Sequence, residues 1–468
     1  MRIAHVSSAL LFSLLFAAGT SAAAGTQAKK PAKPTNKPAE SSAKQTESSP
    51  QPAVIRKPKV DVHSGPDFAT PTVATLKRDA AITVTGQQDL WFRVALADGK
   101  TGFVRVNEVR LAYASTETGG TARALFTGKA GKGRVSETAG VRGLDESDLK
   151  AATFNAAQLA KLESYRVTAD TAAKAASSKG WSSTQVAYTT EFQPKQSDGR
   201  AESTQGEKRG TFSAARGLLS ALGSNAGGGL LNAADKVIPK SEQEITDEER
   251  ALGPEIAGRI LGAAPLWKDD AAQRRVNLIG RWQASQTSRP ELPWAFGIID
   301  SDEINAFAAP GGYILLTRGL YKMLNNDAEV AAVLGHEISH VVQRDHYEVI
   351  RKQGMQGVGK DLAMSRVGGG NLAASMAKDY VAKHGAMVMM TSLDRGAEYR
   401  SDEASAIYLA RSGFNPLALY AVLQKMTALG ASSTRLTQLY KTHPPLDERM
   451  DRIDRTGYKG LEQYTIRK

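Results

Sequence analysis

The 468-residue chain contains no cysteine. It therefore cannot form disulfides, hold zinc or iron–sulfur clusters through thiolates, or use a thiol as a nucleophile. A metal site would have to be built from His, Asp and Glu side chains. Histidine is also scarce, because the chain has only seven, and five of them follow residue 330. Any histidine chemistry is therefore expected in the last third of the chain.

The sequence also lacks the patterns that accompany nucleic-acid binding. The net charge of +12 could favour an anionic partner. However, residues 25–58 alone hold seven Lys or Arg against two Glu, so much of the excess lies in one polar stretch. No basic stripe is interleaved with aromatic residues. We therefore expect a solvated charge excess and no nucleic-acid partner.

Residues 1–24 have the pattern of a signal peptide. Arg2 supplies a positive charge, residues 9–18 are apolar, and residues 22–24 offer a small-residue cleavage site. The apolar run is shorter than the roughly 20 residues that span a bilayer, and no later stretch of sequence is long enough. A retained anchor is the alternative. We expect a periplasmic or secreted protein that is not a lipoprotein and has no transmembrane segment.

Two segments of different composition follow. Residues 25–58 are rich in Lys, Pro, Ser and Thr, which predicts a disordered tether. Residues 59–112 contain short β-type runs between turn signals, which predicts a small β-barrel. Residues 62–66, 91–94 and 98–103 resemble the bacterial SH3-like domain. The resemblance implies either cell-wall binding, with peptidoglycan as a possible partner, or a tethering role.

The rest of the chain has one region whose secondary structure is hard to assign from the sequence and one region with clear helix and strand patterns. Residues 113–240 are assigned as helical or linker, with leucine periodicity over 145–165 and a glycine run at 217–234 that lacks the setting of a phosphate loop. Residues 241–468 predict an α+β domain. Its signals are a capping box from Thr246 to Glu249, a β-hairpin near residue 311, and long helices after it.

One of these helices carries the residues of a candidate metal site. Asn326 and Glu329 can cap its N-terminus. His336 and His340 are four residues apart and share one face, so their imidazoles can converge on one zinc ion. Glu337 leaves the helix about 100° from His336 and can take a proton from a water molecule on the ion. A chance match and a structural histidine pair are the alternatives.

A catalytic zinc needs a third protein ligand. Glu398 and Asp402 lie four residues apart in a predicted helix over 393–410. One carboxylate can bind the metal while the other accepts a hydrogen bond from a ligand histidine. The alternative is an ordinary solvated acidic helix, in which these carboxylates pair with Arg395 and Arg400.

Residues 305–312, 336–340, 398–402 and 442–449 together resemble, in the right order, the gluzincin metallopeptidase family of HtpX, BepA and the CAAX-processing proteases. The resemblance covers roughly residues 245–456. It implies a mainly helical, zincin-type metalloprotease domain with a small sheet.

The resemblance also implies roles for individual residues. One zinc ion per chain would be bound by His336, His340 and Glu398. Glu337 would act as general base and acid, and Asp402 would orient a ligand histidine.

Further residues would contact the substrate or the reacting groups. Asn305, Ala306 and Phe307 would lie on an edge strand that pairs with extended substrate. His443 would either occupy the open metal position at rest or stabilise the oxyanion. Arg449 would join it by a salt bridge or by contacting the intermediate.

The 57 residues between His340 and Glu398 are less readable. His346 is not expected to be a ligand, because on a continuous helix it would point about 240° away from His340. His384 is not expected to be one either. The Met-rich residues 387–390 belong either to a mobile cover over the site or to extra core helices.

The sequence thus predicts an exported zinc metalloendopeptidase. We expect it to hydrolyse unfolded or misassembled envelope proteins in protein quality control. One alternative is an envelope chaperone or assembly factor on a protease fold. Another is a cell-wall-binding protein in which the SH3-like segment carries the main function.

Overall fold

The protein consists of an N-terminal antiparallel sheet followed by a helical body with a second, smaller sheet. The computed structural model describes residues 46–112, 144, 146–194, 241–361, 380–430, 433–456 and 458–467. The predicted signal peptide and the glycine run at 217–234 lie outside these residues. Within them, no helix combines the length and the apolar character that crossing a bilayer requires. The α+β class predicted from the sequence is confirmed.

The N-terminal sheet has seven strands in the order β3-β2-β6-β5-β4-β1-β7. The strands are β1 (Thr46–Ile55), β2 (Lys59–His63), β3 (Thr72–Lys77), β4 (Ala81–Gln88), β5 (Trp91–Ala95), β6 (Thr101–Arg105) and β7 (Val109–Leu111). Alternate apolar side chains such as Val60, Val62, Ile82 and Val84 are buried on one face. The order leaves β3 and β7 as edges, so this sheet is open. A closed SH3-like barrel therefore stays a prediction.

The tether predicted at residues 25–58 differs from the structure from Thr46 onward. β1 begins there and pairs with both β4 and β7. Ala53 and Ile55 are buried in the sheet. The sequence hides this strand, because its first half is polar and its register shifts between Glu47 and Gln51. Residues 25–45 lie outside the described part of the chain.

In the segment that was assigned as helical or linker, the described residues 144 and 146–194 form three helices. They are α1 (Glu146–Ala151), α2 (Ala156–Glu163) and α3 (Ala169–Ser178). The Asn155 side chain caps α2 by accepting a hydrogen bond from the backbone of Gln158. Leu149, Leu159 and Leu162, which gave the helical periodicity, are all buried. They belong to the same apolar core as Leu252 and Ile256 of the next helix, Glu242–Ala263.

The helical body begins with α4 (Glu242–Ala263) and α5 (Asp270–Ala284). The capping box of α4 is formed by Ser241 and Glu244, not by the predicted pair Thr246 and Glu249. Thr246 lies inside the helix, where its hydroxyl donates to the carbonyl of Glu242. Two overlapping cap patterns are present in the sequence, and the earlier one starts the helix.

The second sheet contains β8 (Ala295–Ile299), β9 (Ala306–Ala309) and β10 (Tyr313–Thr317) in the order β8-β10-β9. β9 and β10 form the predicted hairpin, and β8 runs parallel to β10. The hairpin turn needs glycine at 311, where φ is +74° and an added Cβ would lie 2.7 Å from the carbonyl oxygen of Glu249. The strand order makes β9 an edge strand of this sheet.

Seven further α-helices follow in the described residues, and one of them, α7, is buried along most of its length. They are α6 (Arg318–Tyr321), α7 (Asp327–Val342), α8 (Asp345–Asp361), α9 (Arg395–Arg411), α10 (Ala418–Ala428), α11 (Thr437–Thr442) and α12 (Leu446–Thr456). α7 packs against α5, α9, α10 and β9. The Asn326 side chain caps it by accepting from the backbone of Glu329, whose carboxylate in turn accepts from the backbone of Asn325. The predicted N-terminus of α7 is confirmed.

A buried network of charges holds the turn that follows α7. Arg344 adopts a left-handed conformation there, with φ of 63°. Glu249 of α4 is fully buried and accepts hydrogen bonds from Arg289 Nη2 at 2.7 Å and from Arg344 Nε at 2.8 Å. Arg289 also donates to the carbonyl of Val341 at 3.1 Å. One carboxylate thus ties the end of α7 to α4.

We expect Glu249→Ala to lower the free energy of unfolding by roughly 3–5 kcal/mol, because two buried guanidinium groups lose their shared partner. Chemical denaturation measures this loss. Glu255→Ala on the same helix is the matched control, since Glu255 forms a half-exposed pair with Arg259 and should contribute less than about 1 kcal/mol. Equal losses in the two variants would contradict the assigned role of the network.

Candidate metal centre

Four side chains converge beside the C-terminal half of α7. His336 and His340 lie on α7, Glu398 lies on α9, and His443 directly follows the last residue of α11. Their ligand atoms all lie within 4.8 Å of one another. His336 Nε2 lies 3.3 Å from His340 Nε2, and Glu398 Oε2 lies 3.5 Å from His336 Nε2 and 3.6 Å from His443 Nε2. The structure therefore brings together the three predicted ligands and His443.

Close packing of α7 against α9 places Glu398 opposite the histidines. Gly335 permits this approach, because an added Cβ would lie only 3.3 Å from Ser405 Oγ. Ser405 also donates its hydroxyl to the carbonyl of Ala332 at 2.7 Å. The acidic residues of α9 that face α7 are consequently buried. The alternative of a solvated acidic helix does not describe Glu398 or Asp402.

Asp402 contacts the second nitrogen of His336. Its Oδ1 lies 3.1 Å from His336 Nδ1. Arg449 of α12 donates to the same carboxylate from Nη2 at 2.5 Å and from Nε at 3.0 Å. Burial alone would raise the pKa of Asp402, but the Arg449 guanidinium and the His336 hydrogen bond lower this pKa to about 2. An anionic Asp402 favours a proton on Nδ1 and leaves Nε2 of His336 free to bind a metal.

Asp345 contacts His340 in the same way, although no sequence pattern singled out this residue. Asp345 Oδ2 lies 2.9 Å from His340 Nδ1, and Ser401 Oγ lies 3.1 Å from that nitrogen. Asp345 reaches this position because the chain turns at Arg344 before α8 begins. The sequence does contain a carboxylate five residues after the second histidine. Its contact with that histidine can be recognised only from the structure, because the contact depends on this turn.

The same turn changes the position of His346. Its ring centroid lies 5.8 Å from that of His340, and it lines the cavity at the candidate site. The predicted direction, 240° away from the metal face, is wrong because α7 ends at Val342. His346 nevertheless contributes no atom to the ligand cluster. His384 stacks on Tyr380 and is also outside the cluster, as expected.

Glu337 is buried and lines the same cavity as His340 and Glu398. Burial raises the pKa of Glu337 above its ordinary value, while the neighbouring histidines act in the opposite direction. A carboxylate with a raised pKa is a stronger base than an exposed one. Its position and environment suit proton transfer.

The cavity at the site is small. Asn305, Ala306 and Phe307 of the β9 edge line one side, and Met389 and Thr391 line another. The free volume is about 10 Å³, which is room for roughly one water molecule. The Met-rich residues 387–390 lie in a short 3-10 helix, Gly385–Met390, that packs here. An extended peptide can reach β9 only if some of these side chains move.

The donor set fits zinc. Oε2 of Glu398 is buried and has no hydrogen-bond partner among the described residues. Burial would raise the pKa of Glu398, but the charge of the close pair His336 and His340 holds it well below its ordinary value. A buried carboxylate oxygen that carries charge without a hydrogen-bond partner is poorly satisfied unless it coordinates a cation. Two imidazoles and one carboxylate are ligands that zinc prefers.

A pair of histidines one turn apart on a helix, a carboxylate from a second helix and a buried glutamate together define a zincin-type metallopeptidase. Residues 270–456 match the sequence profile described as peptidase family M48. This match, which covers about 40% of the chain, confirms the resemblance to metallopeptidases.

Individual relatives agree with this assignment. The beta-barrel assembly-enhancing protease of Yersinia pestis is 29% identical over 214 residues, covering 44% of this chain and 43% of that protein. Protease HtpX of Xylella fastidiosa is 27% identical over 235 residues, covering 43% and 77%. The mitochondrial metalloendopeptidase OMA1 of Arabidopsis thaliana is 29% identical over 153 residues, covering 33% and 29%. The chain spans less than half the length of the assembly-enhancing protease that it matches.

We expect the purified protein to hold one zinc ion per chain, and His336→Ala and Glu398→Ala to lose it, because each removes a ligand. Elemental analysis after gel filtration measures the metal content. Glu403→Ala is the matched control, since Glu403 is exposed on the same helix as Glu398. Stoichiometric zinc in Glu398→Ala would contradict the third-ligand assignment.

Asp345→Asn should weaken zinc binding about 10–100-fold, because His340 loses the carboxylate that orients its ring. Competition with a chelating dye measures the affinity. Glu348→Gln serves as control, since Glu348 lies on the same helix in an exposed pair with Arg351. An unchanged affinity in Asp345→Asn would show that the contact with His340 does not matter for the metal.

Proposed function

We propose that this protein is an exported zinc metalloendopeptidase that hydrolyses peptide bonds of envelope proteins. The observation that carries the proposal is the convergence of His336, His340 and Glu398 beside the buried carboxylate of Glu337. An inert scaffold has no need of a buried general base next to three metal ligands. The match of residues 270–456 to peptidase family M48 supports the same reaction class.

The mechanism divides among the residues of the site. His336, His340 and Glu398 would hold zinc, which when bound supplies a Lewis acid for the scissile carbonyl and the attacking water. Glu337 would take a proton from that water on a carboxylate oxygen. It would then return the proton to the leaving amide nitrogen. Asp402 would keep the His336 imidazole in place throughout.

The two roles predicted for His443 differ in which nitrogen carries the proton. Burial lowers the pKa of His443 to about 3, so its imidazole is neutral. Its Nδ1 lies 2.8 Å from Thr442 Oγ1. A proton on Nδ1, donated to that hydroxyl, leaves the Nε2 lone pair facing the ligand cluster. This favours His443 as a fourth ligand at rest over a role as oxyanion donor.

Arg449 would act on the metal centre through its partners. Its Nε and Nη2 are both bonded to Asp402, and Nη2 lies 3.4 Å from His336 Nδ1. This arrangement supports a positioning role. Direct contact with a reaction intermediate stays a prediction.

The substrate would bind as an extended strand. β9 is an edge strand, and Asn305, Ala306 and Phe307 line the cavity beside the ligands. A peptide added along this edge would present its backbone to the centre without regard to most side chains, which suits unfolded or misassembled proteins. The envelope location is proposed from the signal-like N-terminus and from relatives named beta-barrel assembly-enhancing proteases. Peptidoglycan binding by the N-terminal sheet stays a prediction.

Cleavage of casein or of an unfolded envelope protein tests the proposed activity. A chelator should abolish it, zinc should restore it, and Glu337→Gln should reduce kcat about 10²–10⁴-fold because the general base is lost. The variant should retain its zinc, which separates loss of the base from loss of the metal. Glu348→Gln should cleave at the wild-type rate.

Full activity in Glu337→Gln would exclude the proposed mechanism. Assistance of substrate folding by a wild-type protein that cleaves nothing would favour the alternative of an envelope assembly factor. Cell fractionation of the full chain checks the location separately, because a cytoplasmic protein could still be an active peptidase.

A further inference from the structure

The N-terminal sheet contacts the helix that carries Arg449. Arg110 on β7 is buried, and its Nη2 lies 3.0 Å from Asp451 Oδ1 and 3.0 Å from Asp454 Oδ2, both on α12. The same nitrogen lies 3.3 Å from the hydroxyl of Tyr420 on α10. One guanidinium from the sheet therefore bridges two helices of the peptidase domain.

Helical geometry gives this contact a consequence for the metal centre. Asp451 and Asp454 are two and five residues after Arg449, which places them about 200° and 140° around α12 from it. Arg449 thus faces Asp402, while the two aspartates face the sheet. α12 is held from opposite sides by Arg110 and by Asp402.

A buried contact also fixes β7 against α10. Gln424 of α10 is fully buried, and its amide donates to the carbonyl of Val109 at 2.5 Å while accepting from the backbone N–H of Leu111 at 3.1 Å. Since α10 packs against both α7 and α12, the strand that carries Arg110 has a defined position relative to both.

The sheet also reaches the first turn of α7. Gln87 of β4 donates to Glu329 Oε1 at 3.1 Å, and Lys425 of α10 donates to the other oxygen of that carboxylate at 2.5 Å. Glu329 is fully buried. Both helices that supply Arg449 and the histidine pair are therefore in polar contact with the N-terminal sheet.

We propose that Arg110 is a positioning residue of the metal centre. It acts through Asp451 and Asp454 on α12, whose Arg449 holds Asp402 against His336. The inference rests on the proposed function and adds to it that the N-terminal sheet is part of the catalytic unit. The family match begins only at residue 270, so this contribution lies outside the conserved domain profile.

Zinc affinity and kinetics of the full chain test this proposal. Arg110→Ala should weaken zinc binding about tenfold and lower kcat about tenfold, with KM changed less than about twofold, because ring orientation changes while β9 does not. Chelating-dye competition and peptide cleavage provide the two readouts. Arg110→Lys should recover most of both, since an ammonium group can still reach one of the aspartates.

Two controls separate positioning from general stability. Arg93→Ala removes another arginine of the sheet, whose guanidinium lies over Phe103 of the same sheet, and should change neither readout. Val94→Ala leaves a cavity in the core of the sheet and should lower the melting temperature. It should nevertheless keep zinc affinity and kcat within about twofold of wild type at a temperature where it is folded.

If Arg110→Ala does not fold, the double variant Asp451→Asn with Asp454→Asn tests the same contact from α12 and should show the same losses. Wild-type values in the contact variants would overturn the inference while leaving the peptidase intact. Equal losses in Val94→Ala would also overturn it, because instability alone would then explain them. A wild-type chain without zinc affinity or cleavage would instead overturn the proposed function, and the inference with it.

Discussion

The metal centre depends on a pair of carboxylates, each of which contacts the second nitrogen of a ligand imidazole. Asp402 contacts His336, and Asp345 contacts His340. Without these contacts each ring could rotate or change tautomer, and the Nε2 atoms would not share one point. Contacts in the surrounding structure hold both carboxylates in place. Arg449 holds Asp402, and the network around Glu249 holds the turn that delivers Asp345.

The parts of the site that local spacing determines could be predicted from the sequence. A separation of four residues on an apolar helix places His336 and His340 on one face whatever the rest of the fold does. Glu398 emerged only as one of two carboxylates on a predicted helix, and the resemblance to a family was needed to choose it. The relation of Asp345 and His346 to His340 could not be predicted, because it depends on one left-handed residue held by contacts about 95 positions away in sequence.

For the N-terminal sheet too, only part of the structure could be predicted from the sequence. Four of its strands, β3 to β6, were evident from short β-type runs, but β1 was not, because polar residues fill its first half. Nothing in the local sequence indicates that Arg110 and Gln87 pair with residues of the peptidase domain. Those partners lie more than 240 positions further on, and charged or amide side chains in a strand ordinarily indicate solvent. The contacts of this sheet with the peptidase domain therefore could not be predicted from the local sequence.

The contact between β7 and α12 also bears on how the protein is made. Arg110 and Asp454 are 344 positions apart. At translation rates of about 5–20 residues per second, the helix would leave the ribosome roughly 20–70 s after the strand. Until then α12 cannot bring Arg449 to Asp402, so the newly made chain has no complete centre. The order of synthesis therefore delays a complete set of contacts at the centre until the last α-helix of the peptidase domain has been made.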